Sequence, residues 1–328
     1  MYNEKMKMSF IDSCCGASAS KTNAAITFFK ALEPYERSWG ADVCTVEKRK
    51  VVPVIEDLVG FRWQSYKLRT FILKGYVEWC LVNGVENVCK QLLEIKPNDL
   101  GVSKLRRQMV SSPTHLQKYL NLICYPESEG TVDAVYRAFY WLAYGGIPLA
   151  EMAMQVKVSD VNLEDKIVVS RGREFQLYES SLCAIKECIS AEEFKCPRSN
   201  GFDYVKKRYD GDVLLRRFVA PTKNDPYSVM SIRTIMSRKE KKYRSDCCGV
   251  LDPESIDLHL SYYRVWISGV FYRTKEAEII GVPVDFIPLA REISEIKGFP
   301  NKPVNEIKNM AREYERDYRR WKEAYSLL

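Results

Sequence analysis

Two apolar rhythms run along the chain. From Lys21 onward hydrophobic residues recur every three to four positions, the spacing that stacks side chains on one face of an α-helix. Over residues 22–32, Ala25, Ile26, Phe29 and Leu32 share a face, and Pro34 predicts the end of that helix because proline lacks an amide proton. Residues 51–58 form a second expected helix. A third, 65–82, is long and periodic, with Leu68, Ile72, Tyr76, Trp79 and Cys80 expected inward and Asn83-Gly84 as its stop. Residues 85–93 give a shorter one. Residues 21–110 thus read as a helical domain, preceded by a small, polar segment, 1–20, expected to be only partly ordered.

A polar stretch, Ser111-Ser112-Pro113, marks the next boundary. A helix is expected over 114–123, capped by Ser112 or Thr114. An apolar helix over 131–144 stops at Gly145-Gly146, and a short one follows over 149–155. The period then changes: residues 158–161, 166–170 and 174–178 read as strands, with turns at 162–165 and Arg171-Gly172. Helices resume over 180–189, 228–241, 258–271, 288–297 and 304–325. The expected fold class is mainly α with a small β-sheet, the second domain spanning 111–328.

Composition narrows the class. Hydrophobic residues make up 46% and charged residues 28%, which excludes a disordered or fibrous chain. Apolar runs such as 51–55 and 138–142 fall far short of the ~20 residues that span a bilayer. Met1–Phe10 carries Lys5 and Lys7 with no apolar stretch behind them, unlike a signal peptide. The expectation is a soluble cytoplasmic protein with no membrane partner. Eleven cysteines without a CxxC pair, and only His115 and His259 as histidines, argue against both a disulfide framework and a zinc cluster. No metal or cofactor is expected. The net charge of +7 is uneven: residues 195–244 hold fourteen Lys/Arg against five Asp/Glu. Such a stripe suits a phosphate backbone, and it equally suits a solvated surface.

The order of motifs in the second domain is more specific. Val135-Tyr136-Arg137-Ala138-Phe139-Tyr140-Trp141-Leu142-Ala143-Tyr144 runs into Gly145-Gly146-Ile147-Pro148-Leu149-Ala150-Glu151. Ser159-Asp160-Val161-Asn162-Leu163-Glu164 then leads into Lys166-Ile167-Val168-Val169, and Leu260-Ser261-Tyr262-Tyr263-Arg264-Val265-Trp266 follows much later. This succession resembles the tyrosine recombinases, or phage integrases. There an apolar helix enters a Gly-Leu-Arg-Ile-Ser-Glu turn, then an Asp-Val/Ile-Asp-Leu segment, a β-hairpin and a His-x-x-Arg box. The resemblance covers roughly residues 114–273. It implies a core-binding (SAM-like) helical domain followed by an α+β catalytic-type domain, gripping double-stranded DNA between them.

The family's chemistry is tyrosine attack on a DNA phosphodiester, with arginines, a hairpin lysine and histidine-type groups stabilising the transition state. Residue by residue, this chain departs from it. The first arginine aligns with Pro148, which has no charge and no donor. The hairpin lysine aligns near Arg171 or Arg173, and guanidinium does not release its proton. The box histidine aligns with Ser261, while Arg264 keeps the second arginine. His259 lies five residues before Arg264, not three. No tyrosine occurs in 281–303, where the nucleophile is expected; Tyr314 and Tyr318 are the substitutes further on, in a charged amphipathic helix.

What the resemblance leaves is the grip. Expected DNA contacts in the first domain are Lys48, Arg49, Lys50, Arg62, Lys67, Arg69 and Lys74, with Lys104, Arg106 and Arg107 at the linker. In the second they are Arg171, Arg173, Arg233, Arg238, Lys239, Lys241, Lys242, Arg244 and Arg264. Arg264 alternatively forms a buried ion pair with an acid such as Glu151. Trp141, Tyr144, Tyr262, Tyr263 and Trp266 are expected in the core rather than against bases. The helix over 304–328 suits self-association. The expected function is a DNA-binding regulator, a phage-type repressor on an integrase scaffold that no longer recombines. The alternatives are a divergent recombinase using Tyr314 or Tyr318, and an accessory protein whose contacts are with other proteins.

Overall fold

The structure, a computed structural model, describes residues 1–16, 18–58, 62–96, 101, 105–106, 108–124, 132–191, 193–196, 204–207, 211–216, 228–246 and 260–325, with the side chains of 132–133, 193–196, 204–207, 242 and 244–246 left out. The helices are α1 (Glu4–Cys14), α2 (Ala19–Trp39), α3 (Lys48–Leu58), α4 (Trp63–Val82), α5 (Pro113–Ile123), α6 (Val132–Tyr144), α7 (Ala150–Ala153), α8 (Glu179–Ser190), α9 (Val229–Asp246), α10 (Tyr262–Ile279), α11 (Ile287–Ile296) and α12 (Val304–Tyr325). Between α7 and α8 lie strands β1 (Val161–Asn162), β2 (Ile167–Ser170) and β3 (Arg173–Gln176). Strands β4 (Glu193–Cys196) and β5 (Tyr204–Lys207) follow α8. The chain is mainly α with a small antiparallel sheet. Among the described residues no helix is long and apolar enough to cross a membrane.

Two units divide the chain: Met1–Leu105 with Lys302–Leu328, and Arg106–Asn301. The terminal helix, expected at the end of the second domain, therefore belongs with the amino-terminal unit.

In that unit the first surprise is α1. Its sequence is polar, yet Phe10 and Ile11 are buried, and so is Lys7. Lys7 Nζ donates to both oxygens of the Glu36 carboxylate at 2.5 and 2.6 Å and lies 3.5 Å from Asp42. Glu36 also accepts from the Val43 amide at 2.9 Å. Asp42 accepts from the Cys44 amide and the Tyr76 hydroxyl, both at 3.1 Å. A buried charge is tolerated only when paired and fully hydrogen-bonded, and this cluster meets both conditions. Helix α1 is therefore held by a lysine whose sequence setting suggests a solvent-facing role.

The same cluster explains why α2 runs through Pro34 to Trp39 instead of stopping. Phe28, Phe29 and Leu32 precede the proline on the buried face, and Glu36 follows it. Losing one backbone hydrogen bond costs less than abandoning that face. Residues 85–93 form no α-helix; a 3-10 turn, Lys90–Glu94, takes their place. In α4 the buried arc is Tyr66, Thr70, Ile72, Leu73, Tyr76, Val77 and Cys80, which leaves Leu68 outside.

Helix α12 buries Ile307, Ala311, Tyr314, Tyr318, Trp321 and Tyr325 within the amino-terminal unit. Its Asp317 supplies what α4 lacks. The residue before α4 is Arg62, whose side chain cannot cap, and Asp317 Oδ1 accepts the Trp63 amide at 2.7 Å. Arg62 reaches Asp317 at 3.6 Å and Glu313 at 3.5 Å, and the Arg320 guanidinium stacks 3.9 Å over the Tyr66 ring.

The second unit is built on α6. From Ala138 to Tyr144 every side chain is buried, as expected of a helix that is apolar all round. It packs against α8 and α10. Ser112, not Thr114, caps α5, its Oγ accepting the His115 amide at 3.1 Å. The sheet order is β1-β2-β3, antiparallel, with Val168 opposite both Val161 and Phe175. Arg171 and Gly172, at φ 51° and 73°, make the two-residue turn between β2 and β3. Residues 158–160 form a 3-10 turn rather than a strand. The second pair, β4 and β5, has no counterpart among the strands expected from the sequence.

Burial pushes the Asp317 carboxyl up to about 6, against the Trp63 amide and the charges of Arg62 and Arg320. The native state thus holds a proton that the unfolded chain has lost above pH ~4. The stability this group contributes is full below that pH and falls as pH rises through about 6, by about 3 kcal/mol at most. Asp317→Asn keeps the oxygen that accepts from Trp63. The variant should gain stability relative to the native chain as urea unfolding is moved from pH 4.5 to 7.5. A variant less stable than the native chain at pH 7.5 would mean that Arg62 and Arg320 outweigh burial.

Candidate nucleic-acid interface

The turn that follows α6 is held by α10 through its backbone carbonyls. Tyr262 Oη donates to Ile147 O at 2.9 Å, Trp266 Nε1 to Gly146 O at 3.0 Å and Arg273 Nη1 to Tyr144 O at 2.7 Å. The helix can come this close because Gly269 has no side chain: a Cβ there would stand 2.2 Å from Tyr144 O. Gly146, at φ 118°, has the conformation that the turn requires. Pro148 lines a cleft of about 330 Å³ with Gly146, Glu174, Trp266, Arg273 and Glu292. Two of its charges are already spent, Arg273 on Tyr144 and Glu292 on Arg173.

Each residue placed by resemblance now has a setting. Ser261 caps α10, its Oγ accepting the Arg264 amide at 3.3 Å. Arg264 is half-buried. Burial lowers its pKa, and the charge of Glu240 on α9 works against that shift. The charge of Glu151 acts on Tyr262. Glu240 is itself buried and accepts the Tyr119 hydroxyl. Arg173 pairs with Glu292 at 3.2 Å and Glu295 at 2.9 Å, so it is neutralised on α11. Arg171 is exposed at the hairpin tip, its Nε donating to Gln155 Oε1 at 3.1 Å. His259 lies outside the described residues.

The two substitute tyrosines belong to the amino-terminal unit and are buried there, Tyr314 at 4% and Tyr318 at 2% exposure. The Arg62 guanidinium lies 5.9 Å over the Tyr314 ring, and Tyr318 stacks on Trp321. A side chain so enclosed must leave its packing to reach a phosphodiester. Trp141, Tyr144, Tyr262 and Trp266 are core residues and Tyr263 is half-buried, as expected.

Helix α9 sorts its side chains by charge. Ile232, Met236, Glu240 and Tyr243 are buried. Among its described side chains the exposed ones are Met230, Arg233, Thr234, Ser237, Arg238 and Lys241, three cations and no acid. Among the described residues none of the three pairs with a carboxylate. Lys239 is half-buried, its Nζ 5.9 Å over the Tyr136 ring. The side chains of Lys242 and Arg244 lie outside the described residues.

In the amino-terminal unit the cations expected on DNA divide similarly. Arg69 is committed: its guanidinium lies 5.2 Å over Phe28 and Nη1 donates to Ala24 O at 3.3 Å, with burial lowering its pKa. Arg62 is held by Glu313 and Asp317, and Arg49 by Glu47 at 2.5 Å. Lys50 and Lys67 are exposed, while Lys48 and Lys74 are half-buried. Arg106, in the second unit, is half-buried, and Lys104 and Arg107 lie outside the described residues. Sequence reasoning missed Arg273 and Glu240. The only hint for either was its place in an amphipathic helix.

No family model and no curated protein matches the sequence. Among solved structures the chain is similar to the Tn1549 transposon integrase (residues 82–397) in complex with a circular intermediate DNA, at 11% identity over 93% of each chain with a TM-score of 0.36. It is also similar to the XerA recombinase, at 12% identity over 98% of this chain and 97% of that one, with a TM-score of 0.33.

Gly269→Ala sets a methyl group against a backbone carbonyl that cannot move without breaking the turn. The expected destabilisation is at the upper end of the ~1–3 kcal/mol usual for overpacking, read as a lowered urea midpoint. An unchanged midpoint would mean that α10 slides away from α6 without cost.

Proposed function

We propose that this chain is a DNA-binding protein of integrase-type architecture that does not recombine DNA, and that it acts as a repressor-type transcriptional regulator in the cytoplasm. The observation that carries the reading is the outer face of α9, where Arg233, Arg238 and Lys241 stand exposed without an acid among them. A cationic helix face of this kind suits successive phosphates of a duplex. Lys50, Lys67 and Lys74 add candidates on the other unit. The order of elements in the second unit supports the architecture: apolar helix, glycine turn, three-stranded hairpin sheet, and a helix opening Ser261-Tyr262-Tyr263-Arg264.

The absence of chemistry is inferred from four residues. Pro148 offers no donor, Ser261 is occupied as a helix cap, and Tyr314 and Tyr318 are buried. Losing a single transition-state donor typically costs ~100–1,000-fold, and the losses here fall on one reaction. A protein that holds a duplex without cutting it blocks what else would bind there, which is the action of a repressor. Self-association through α12 is not part of this reading, because that helix buries its apolar stripe within its own chain.

The test is a pool of short duplexes titrated across a salt series, with a parallel sample denatured in detergent. Affinity should fall steeply with salt and leave no covalent band. Replacing Arg233, Arg238 and Lys241 by glutamine should reduce the log–log salt slope by about 0.9 for each phosphate that is no longer neutralised. A salt-independent shift, or none, overturns the DNA reading. A detergent-stable adduct abolished by Tyr314→Phe or Tyr318→Phe makes the chain a working recombinase instead.

A further inference from the structure

Helix α4 carries one face that packing within its unit does not explain. Phe71 is 68% exposed and Leu68 40% exposed, both turned away from the arc that holds Tyr66, Leu73, Tyr76 and Cys80. A lone exposed apolar residue is ordinary. The setting of this one is not. At helical spacing Lys67 and Lys74 lie four residues before and three residues after Phe71, on the same stripe. Among the described residues neither lysine pairs with a carboxylate. One turn further, Glu78 is exposed on that stripe and bounds it, since a carboxylate there repels phosphate.

We propose that this face enters a groove of duplex DNA, with Lys67 and Lys74 on phosphates and Phe71, flanked by Leu68, against the 5-methyl groups of thymines. The inference deepens the DNA-binding reading and rests on it. Charge complementarity selects the partner: the apolar centre has cations at both ends, which suits base edges between two phosphate walls. The lysines are set about 10 Å apart along the helix axis, close to the ~12 Å width of the major groove. Thymine is the base whose major-groove edge presents a methyl group, and a phenyl ring contacts it without needing a donor or acceptor. Lys67 and Lys74 would then position the helix, and Phe71 would confer sequence preference.

The experiment uses the full chain. A random 20-base-pair duplex pool is enriched by binding to it, and the enriched duplex is remade with deoxyuridine at single thymine positions, which removes only the methyl group. At one or two positions uracil should weaken the native chain by about tenfold. Phe71→Ala should bind the thymine duplex about tenfold more weakly, with an unchanged salt slope, and should not distinguish thymine from uracil. Lys67→Gln should lower the slope by about 0.9 and leave the sequence preference intact. Because Phe71 is exposed, Phe71→Ala should keep the native unfolding midpoint.

If Phe71→Ala binds both duplexes as the native chain does, the assignment of Phe71 is wrong while DNA binding stands. A shift in sedimentation caused by Phe71→Ala, with DNA affinity untouched, makes this face a contact between copies and also overturns it. If the native chain binds no duplex at any salt, the DNA-binding reading has failed and this inference with it.

Discussion

The missing Cβ at position 269 lets α10 lie against the carbonyl end of α6, and the second unit is arranged around that approach. Once the two backbones are this close, the carbonyls of Tyr144, Gly146 and Ile147 turn toward α10 and need donors. Arg273, Trp266 and Tyr262 supply them from one helix. These bonds commit three side chains of α10 to the turn. They fix the turn that carries Pro148 and set the start of α10, where Ser261 closes the helix. Arg264 is thereby half-buried beside α9, and Glu240 is drawn into the interior opposite Tyr119. With Glu240 buried, the described exposed side chains of α9 include three cations and no acid. The electrostatic character of that surface follows from a packing constraint two helices away.

The amino-terminal unit sorts its charges by the same principle. Lys7 is spent on Glu36 and Asp42, Arg62 on Asp317 and Glu313, Arg69 on Phe28 and the Ala24 carbonyl, and Arg320 on the Tyr66 ring. Buried cations need partners, and each of these has found acids, rings or carbonyls. The net charge of +7 therefore misjudges the surface available to a polyanion. What counts is the subset that folding leaves exposed and unpaired. On α4 the cations that pair with no carboxylate among the described residues include exposed Lys67 and half-buried Lys74, which flank the exposed Phe71.

The elements legible in the sequence are those whose pattern is set by their own residues. An all-apolar run can only be a central helix, so α6 is plain. Arg171-Gly172 between two alternating runs can only be a tight turn, and the stripe in α12 can be read residue by residue. Illegible elements depend on a distant partner. Nothing in a polar segment announces that Lys7 will meet Glu36, so the order of α1 is hidden. Nothing local at Pro34 reveals that residues on both sides of it must be buried. The seat of α12 rests on Asp317 capping Trp63 across 254 positions, a bond that no window on the sequence contains. The resemblance assigns Arg173 to phosphate through its place on the hairpin, whereas two glutamates of α11 hold it.

The same distinction bears on how chemistry and binding would separate under the proposed function. A recombinase site needs charged side chains that converge on one phosphate and remain uncommitted until the duplex arrives. Here the positions that the resemblance assigns to such a site are absorbed into structure: a proline in a carbonyl-pinned turn, a serine turned to its own helix, an arginine paired with two glutamates. On the proposed reading, restoring a single group would leave the others tied. Phosphate binding makes lesser demands, because exposed cations act additively and need no convergence. A fold can therefore lose the first capacity and keep the second, provided that its core spares a few surface cations. Under the proposed reading, selectivity would come from what stands between those cations, which on α4 is the exposed ring of Phe71.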